Sequence, residues 1–408
     1  MSEHRTISDW SHETLLSIVE THGTPTYVID LERIRQNYRR LSSAFEDADI
    51  YYAAKANTSG AILQTLGNLG AGIECVSAGE IYRSIRAEIP PSRILYTAVN
   101  PPDSDLDFAV NLSGLTINIG SHDTLRRLSE RDYRGRICLR INTGSGAGHH
   151  KYVSTGSDAK FGFSPDQALD LLSSHSSHDF DIVGIHAHAG SGISPQDMDV
   201  HQSLCRTLGD ISRSSPIDLE FIDVGGGFGV PYRPEDLSLD LSKVSLEIQK
   251  SLGEFSAKLV LEPGRYLVAD AGILLTRINT IKNLDSHTIV GVDAGMHTLL
   301  RPALYGSYHD IQNISSTETK PSLPNTTVTG PICESADILG VDIELEASAT
   351  GDILAIGNAG AYGEAMESQY NSFPRSATVA IDGNNIGLIR KRETLEDLCS
   401  HEHEAGWF

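Results

Sequence analysis

The runs IVGIHAH (182–188), LEFIDV (219–224) and KLVLE (258–262) decide the fold, because each is a short β-branched strand candidate separated from the next by helical sequence. Five similar runs precede them: IYYAAK (50–55), GIECV (72–76), RILYT (93–97), LTINI (115–119) and RICLRIN (136–142). Helical segments alternate with these strands, and Ser164 before Pro165 is a favourable helix start. Alternating strands and helices predict parallel pairing, and eight units match a closed (β/α)8 barrel better than an open sheet.

The pattern changes after about residue 275, where strands are joined by turns rich in Asp, Asn and Gly and few helices intervene. This texture predicts a C-terminal antiparallel β domain. The opening run GTPTYVID (23–30) also reads as a strand and is expected to join that domain, since the barrel is complete without it. We therefore expect an α/β chain with a barrel domain over 31–273 and a β-sandwich-like domain over 1–30 and 274–408.

Composition excludes several classes of protein. The 408 residues carry 32 Lys+Arg against 54 Asp+Glu, a formal net charge of −22, which disfavours nucleic acid and anionic membranes as partners. The start MSEHRTISDW does not resemble a secretory signal, and no apolar run approaches the length of a membrane span. Five scattered cysteines without CxxC spacing argue against a disulfide framework or a structural zinc site. We expect a soluble cytoplasmic protein.

Polar residues fall at the C-terminal ends of several predicted strands, where barrel enzymes build their active sites. Lys55 ends the first strand, His186 and His188 end the sixth, and Glu262 ends the eighth. A lysine in this place is often only a solvated charge. Inside an apolar barrel it would be partly desolvated, which lowers the pKa of an amine and suits it to covalent catalysis.

Two further features suggest the ligand. The glycines of DVGGGFG (223–229) do not meet a nucleotide fingerprint, but they could present backbone N–H groups to an anion at a helix start. Glu262 could form a salt bridge to an arginine, or it could hold a cationic ring nitrogen. A lysine, an anion cradle and an acid together describe a site for pyridoxal 5′-phosphate. No third ligand has a recognisable spacing with the two histidines, so we expect no metal.

In combination, several motifs resemble those of the fold-type III pyridoxal-phosphate-dependent decarboxylases, from about Thr24 to Leu398. The motifs are YYAAKAN (51–57), HAHAGSG (186–192), DVGGGFG (223–229), LEPGR (261–265), RPALYGSYH (301–309), GPICESAD (330–337), NAGAYG (358–363) and YNSFPR (370–375). The resemblance implies an amino-terminal barrel, a carboxy-terminal β domain and a homodimer whose active sites lie at the subunit interface.

The resemblance also implies roles for individual residues. Lys55 resembles the Schiff-base lysine, His188 the histidine stacked on the cofactor ring, and Glu262 the acid paired with the pyridine nitrogen. Cofactor contacts are further implied for Ser191, Gly225, Gly226, Gly227, Gly264, Arg265 and Tyr362. Cys333 resembles the proton donor supplied by the partner subunit. Substrate contacts are implied for Arg265, Arg301, Tyr305, Glu334 and Tyr362.

Charge separates the possible substrates. Ornithine presents a distal ammonium, which the related enzymes meet with an aspartate after the cysteine, whereas this chain has CES at 333–335. Meso-diaminopimelate presents a distal carboxylate and amine together, which Arg265, Arg301 and Glu334 could bind. The resemblance therefore favours decarboxylation of meso-diaminopimelate to lysine.

Other functions on the same scaffold stay open. A related decarboxylase would act on ornithine, lysine, a D-amino acid or a carrier-bound amino acid. A racemase of this fold would place an arginine against the pyridine nitrogen, which Glu262 argues against. A non-catalytic cofactor carrier would need only the barrel. The glycine-rich segment 144–163 is predicted to be a loop that orders over the site when substrate binds, with His149 and His150 solvated.

Overall fold

The computed structural model describes residues 4–144, 147–148, 162–315 and 323–403. Most of the predicted loop at 144–163, including His149 and His150, lies outside these residues, so its closure stays a prediction.

In chain order the strands are β1 (Thr26–Asp30), β2 (Ala48–Ala53), β3 (Gly72–Cys75), β4 (Ile94–Ala98), β5 (Thr116–Ile119), β6 (Arg136–Arg140), β7 (Ala147–Gly148), β8 (Asp181–His186), β9 (Gly190–Ser191), β10 (Phe221–Gly226), β11 (Lys258–Glu262), β12 (Gly272–Asn283), β13 (Thr288–Val292), β14 (Ile311–Asn313), β15 (Leu323–Thr329), β16 (Ile338–Leu345), β17 (Ile353–Ile356), β18 (Ala377–Asp382) and β19 (Asn385–Arg390).

The described part of the chain contains twelve α-helices, several of which begin at a side-chain cap such as that of Ser11, Ser77 or Ser121. They are α1 (His12–His22), α2 (Leu31–Ala44), α3 (Gly60–Gly67), α4 (Ala78–Arg86), α5 (Asp103–Ala109), α6 (His122–Ser129), α7 (Pro165–Ser173), α8 (Met198–Ser214), α9 (Leu241–Leu252), α10 (Arg265–Val268), α11 (Arg301–Tyr305) and α12 (Leu395–Leu398). Ser164 accepts a hydrogen bond from Gln167 N in a capping box, as its position before Pro165 predicts. Among the described residues, no helix is both long enough and apolar enough to cross a lipid bilayer.

Eight strands close into a parallel barrel in the order β10-β11-β2-β3-β4-β5-β6-β8. The predicted (β/α)8 barrel is confirmed, with every one of its eight strands within a few residues of its expected place. Most residues of these strands are apolar, because the parallel strands of a barrel are covered on both faces. Ile73, Tyr96 and Ile117, for example, are all fully buried.

The second sheet has the order β16-β15-β13-β12-β1-β18-β19, with β17 pairing to both β12 and β14. β1 lies between β12 and β18, so the prediction that the opening strand joins this domain is confirmed. The sheet is mostly antiparallel, as expected, and two of its strand pairs are parallel. β1 runs parallel to β18 and β13 runs parallel to β15, because no hairpin links the strands of either pair and fixes an antiparallel direction.

Successive side chains of this sheet enter different hydrophobic clusters, as strand geometry requires. Tyr27 and Leu274 belong to one cluster, whereas Val28, Ile273 and Leu275 belong to the other. The second cluster is completed by Leu15, Ile18 and Val19 of α1. Both faces of the central strands are therefore covered.

The chain forms two compact units. One comprises 1–33, 231–236 and 268–408, and the other comprises 34–230 and 237–267. We call them the sheet unit and the barrel unit. The short segment 231–236 groups with the sheet unit although it follows barrel strand β10 in sequence. The domain boundaries expected from sequence, at 31–273, stay a prediction.

Candidate active site

The polar residues singled out in the barrel unit share one end of the barrel. Lys55 lies in the 3-10 turn Ala54–Ala56 that follows β2, and Glu262 is the last residue of β11. His188 follows β8 by two residues. Because all the barrel strands are parallel, these three positions lie at the same rim, formed by the carboxyl ends of the strands.

Lys55 is held by an acid from the neighbouring strand. Its Nζ donates a hydrogen bond of 2.5 Å to Oε2 of Glu74, which lies in β3. The Lys55 side chain is 37% exposed, whereas that of Glu74 is 1% exposed. A buried carboxylate paired with a partly accessible amine fixes the amine while leaving it open to a ligand.

Glu262 sits in a buried cluster with His186 and Asp223. His186 Nε2 lies 3.2 Å from Glu262 Oε2. Glu262 is therefore paired with this histidine, whereas the sequence had left open a salt bridge to an arginine. Burial opposes ionisation of Glu262, but the charge and hydrogen bond of His186, together with the charge of Lys55, hold its pKa below its usual range. Burial and the negative charge of Glu262 raise the pKa of Asp223 well above its usual range. Of the two carboxyl groups, Asp223 therefore holds the proton and Glu262 is the anion.

The ligand atoms of His186, Asp223 and Glu262 all lie within 4.8 Å of one another, a spacing that could also hold a metal ion. Two oxygens of the cluster, Glu262 Oε1 and Asp223 Oδ2, have no hydrogen-bond partner within the described ranges. Such buried acceptors are costly unless a donor reaches them. This acid cluster can accept a protonated ring nitrogen or share its own proton.

His188 and the glycine turn are packed together. Gly226 N donates to His188 Nδ1 at 3.2 Å, which leaves the ring proton on Nε2. Burial and the positive charge of Lys55 lower the pKa of His188 to about 3, so its ring is neutral at pH 7. A Cβ at Gly225 would lie 2.6 Å from His188 Nδ1, and one at Gly226 would lie 1.8 Å from the carbonyl oxygen of Glu262. Only glycine fits these two positions.

The glycine turn differs from its expected form in one respect. Gly225 and Gly226 do not begin a helix, since β10 ends at Gly226 and α9 begins at Leu241. Their N–H groups also have internal acceptors, because Gly225 N donates to Asp223 Oδ1 at 2.8 Å and Gly226 N donates to His188. The expectation that these glycines lie at a helix start is therefore wrong, and their contact with an anion stays a prediction. Gly227 has φ +89°, a backbone conformation that favours glycine.

Arg265 and Ser191 meet beside this turn. Arg265 Nη2 donates to Ser191 Oγ at 3.2 Å. Gly264 packs closely against the Lys55 turn, because its Cβ would lie 3.2 Å from Ala53 Cβ and from Ala56 Cβ. The structure thus brings together, within the barrel unit, the sequence-predicted residues Lys55, His188, Ser191, Gly225, Gly226, Gly227, Glu262, Gly264 and Arg265.

The remaining predicted residues belong to the sheet unit. Arg301 and Tyr305 are the first and last residues of α11, and Arg301 is buried. Cys333 and Glu334 are exposed in the loop between β15 and β16. Tyr362 has φ +56°, a left-handed conformation that is uncommon for a tyrosine and that recurs at functional sites.

The loop that carries Cys333 and Glu334 is held by a buried acid. Asp337 accepts hydrogen bonds from Met296 N at 2.5 Å and from Ile332 N at 2.7 Å. Glu334 Oε1 accepts a hydrogen bond of 2.5 Å from Tyr370, a residue of the YNSFPR segment. Two exposed candidate residues are thereby presented by a rigid turn.

Sequence reasoning missed several of these partners. Glu74, Asp223 and Asp337 were assigned no role, although each is an acid inside or beside an apolar strand, which is the signal that could have found them. Tyr370 and His309 lie in the motifs YNSFPR and RPALYGSYH, but these motifs do not indicate which residues the two side chains contact. Their partners come from distant parts of the chain, so spacing does not reveal them.

Comparison with known proteins agrees with this geometry. Residues 31–269 match the family model described as pyridoxal-dependent decarboxylase, pyridoxal binding domain. The chain is 44% identical to a diaminopimelate decarboxylase of Methanothermobacter thermautotrophicus, with 94% of this chain and 92% of that protein covered. It is 37% identical to the diaminopimelate decarboxylase of Helicobacter pylori, over 95% of this chain and 98% of that protein.

Solved structures give the same result. The crystal structure of the Helicobacter pylori diaminopimelate decarboxylase complexed with L-lysine has a TM-score of 0.88 at 36% identity, covering 96% of this chain and 98% of that one. A lysine/ornithine decarboxylase from Vibrio vulnificus has a TM-score of 0.79 at 22% identity, covering 92% of this chain and 99% of that one, a likeness of fold alone. The chain belongs to the diaminopimelate decarboxylase family of pyridoxal-dependent decarboxylases.

Proposed function

We propose that this chain is a carboxy-lyase that converts meso-2,6-diaminopimelate to L-lysine and carbon dioxide with pyridoxal 5′-phosphate, the last step of lysine biosynthesis. One observation carries the proposal. An amine, an ionised acid and a neutral imidazole meet at one rim of a closed barrel, in a chain 44% identical to a diaminopimelate decarboxylase over nearly its full length.

The residues at the rim fit the cofactor. Glu262 Oε1 is a buried acceptor that has no donor in the described part of the chain, as expected of a group that binds a protonated ring nitrogen. The close packing of Gly225 and Gly226 fixes the imidazole of His188, which could then lie against a flat cofactor ring. Lys55 would hold the cofactor covalently, and Ser191, Gly227, Gly264 and Arg265 would surround its phosphate.

When bound, pyridoxal phosphate supplies an electron sink for the pair of electrons released with carbon dioxide. The protein keeps that sink effective through Glu262, which stays anionic because Asp223 retains the proton and His186 donates to Glu262. The neutral ring of His188 can lie against the cofactor without adding a competing charge. Glu74 holds Lys55 at the rim.

The sheet unit is proposed to supply the substrate contacts. Arg301 carries the charge needed to bind a distal carboxylate, as does Arg265, and the family resemblance implies substrate contacts for Tyr305 and Tyr362. Glu334 would bind the distal ammonium. Cys333 would donate the proton that replaces the carboxylate.

We further propose that the protein is a cytoplasmic homodimer in which Cys333 and Glu334 serve the site of the partner subunit. Their exposure on a turn fixed by Asp337 and Tyr370 supports this role, because an exposed loop can reach a neighbouring chain. The family resemblance supports the dimer, and the acidic composition supports a soluble setting without nucleic-acid partners.

Purified protein should release carbon dioxide from meso-diaminopimelate, and Lys55→Ala should abolish the release. Lys243→Ala, a change at an exposed lysine of the same unit, should not alter it. The assay is run in parallel with ornithine and lysine. Activity on ornithine alone, or turnover by Lys55→Ala, would overturn the proposal.

The Lys55→Ala protein also tests the dimer. Mixed and reassembled with Cys333→Ala, it should regain about a quarter of wild-type activity, because half of the dimers are mixed and one of their two sites is intact. Weak activity of each variant alone that does not rise on mixing would contradict a shared site.

A further inference from the structure

The buried guanidinium of Arg301 has a histidine partner. Arg301 is 2% exposed and His309 is 1% exposed, and both belong to the sheet unit. Arg301 Nη1 donates a hydrogen bond of 2.8 Å to His309 Nε2. On its other side, His309 Nδ1 donates to the carbonyl oxygen of Gly357 at 2.8 Å.

These two contacts assign the proton of the imidazole. A guanidinium can only donate, so Nε2 of His309 must be the acceptor. A carbonyl can only accept, so Nδ1 must carry the hydrogen. His309 is therefore neutral in this arrangement and connects the main chain to the Arg301 guanidinium.

Strand pairing fixes the main chain that follows His309 and the main chain of its acceptor, Gly357. His309 lies two residues before β14, and Gly357 directly follows β17, which pairs with β14 through Ile311 and Ile356. Gly357 N also donates to the carbonyl oxygen of Asp310 at 2.9 Å. The acceptor for His309 Nδ1 thus belongs to the sheet itself.

An aromatic ring limits the remaining freedom of the guanidinium. The ring of Tyr232 lies 4.7 Å from the guanidinium carbon of Arg301, a cation–π distance. The same ring meets His309 edge to face, with centroids 5.4 Å apart and an interplanar angle of 84°. Tyr232, in segment 231–236, belongs to the sheet unit with the other two residues.

We propose that His309 is a positioning residue that holds the Arg301 guanidinium in the orientation required to bind the distal carboxylate of the substrate. This inference rests on the proposed function, which assigns that carboxylate to Arg301. Arginine recognises a carboxylate through two parallel hydrogen bonds, so its affinity depends on the plane of the guanidinium. The hydrogen bond to His309 and the face of Tyr232 set that plane before the substrate arrives.

The test compares two substitutions of His309. In His309→Phe the ring remains but the acceptor for Arg301 is lost. In His309→Gln the amide oxygen can accept from Arg301 and the amide nitrogen can donate to Gly357 O. We expect His309→Phe to raise the KM for meso-diaminopimelate at least tenfold with kcat changed less than threefold. His309→Gln should recover most of that loss.

Inhibition by the product tests whether the effect of the substitution concerns the distal carboxylate. The product L-lysine keeps this carboxylate, so its inhibition constant should rise in His309→Phe by the same factor as KM. His297→Phe is the matched control, because His297 is an equally buried histidine of the sheet unit whose ring contacts Phe373. It should leave both constants unchanged. Thermal unfolding of all variants separates lost affinity from lost fold.

Arg301→Gln tests substrate binding by Arg301 separately from the positioning role of His309. If it raises KM and His309→Phe does not, the positioning role is wrong and the role of Arg301 stands. If Arg301→Gln leaves KM unchanged, Arg301 does not bind the substrate. The proposed roles of Arg301 and of His309 are then both wrong. A fall in kcat without a rise in KM in His309→Phe would also overturn the inference.

Discussion

At the scale of single residues, the site depends on charges that are buried and paired. The carboxylate of Glu74 is buried and its Oε2 accepts the hydrogen bond of Lys55, so the amine is anchored by a group that solvent hardly reaches. Glu262 is kept anionic by the same principle, since His186 donates to it and Asp223 retains a proton. In each case a buried acid fixes either the position or the charge of a neighbouring side chain.

We predict that Glu74→Gln lowers kcat at least tenfold while the cofactor stays bound. Glutamine keeps the volume of the side chain but removes the charge, and a hydrogen bond to a charged group contributes about 1.5–3 kcal/mol, equivalent to tenfold or more in rate. The measurement is kcat together with the visible absorbance of the bound cofactor. Glu254→Gln, at an exposed position of the barrel unit, should change neither. Full activity of Glu74→Gln would exclude a catalytic contribution of the pair.

At the scale of secondary structure, the end of β10 is shaped by the absence of side chains. Gly226 pairs with Glu262 of β11, and a Cβ at Gly226 would meet the carbonyl oxygen of Glu262 at 1.8 Å. That contact is with backbone, which cannot rotate away as a side chain could. The two strands approach this closely only because position 226 is glycine.

Gly226→Ala should therefore abolish cofactor binding without unfolding the barrel. The added methyl group pushes apart the ends of β10 and β11 and moves the carboxylate of Glu262. Titration of the apoprotein with pyridoxal phosphate, followed by absorbance and circular dichroism, measures the affinity and the fold together. Gly60→Ala is the control, because nothing lies within 4 Å of the corresponding Cβ. Normal affinity in Gly226→Ala would show that the close approach is dispensable.

At the scale of the whole molecule, the sheet unit is held together by a buried ionic cluster that links segments far apart in sequence. Asp270 accepts hydrogen bonds from Arg33 Nε at 3.0 Å and from Arg5 N at 3.1 Å, and His4 Nδ1 lies 3.3 Å from it. Burial opposes the charge of Asp270, but the hydrogen bonds of His4 and Arg33 outweigh it and hold its pKa well below its usual range. The cluster joins the N-terminal segment to residues that follow the last barrel strand.

Removing the carboxylate of Asp270 should lower the free energy of unfolding by an amount that depends on pH. Asp270→Asn should lower the free energy of unfolding by about 3–5 kcal/mol at pH 7, because it breaks the buried ion pair that Asp270 makes with Arg33. A depressed pKa in the folded state stabilises the protein above the unfolded pKa, about 3.9, and the stabilisation is lost as pH falls below it by about 1.4 kcal/mol per pH unit. Urea unfolding at pH 7 and at pH 3 measures the difference from wild type.

The difference between wild type and Asp270→Asn should therefore be smaller at pH 3 than at pH 7. Asp285→Asn, at an exposed position of the same unit, should have little effect at either pH. A difference independent of pH would mean that the pKa of Asp270 is the same in the folded and unfolded states, contrary to its assigned direction.

The amino-acid sequence by itself determined the eight barrel strands, the cap of α7 at Ser164 and the inclusion of β1 in the second sheet, because hydrophobic periodicity and capping are local properties of the chain. It also placed Lys55, His188 and Glu262 at strand ends, which in a parallel barrel share one rim. Only the tertiary structure decided which side chains pair there. Glu74 meets Lys55 across 19 positions, His186 meets Glu262 across 76, and His309 meets Gly357 across 48. The parallel direction of β1 with β18 and of β13 with β15 was decided in the same way. These contacts depend on strand register and barrel closure, which bring distant positions together, and no pattern confined to neighbouring residues specifies them.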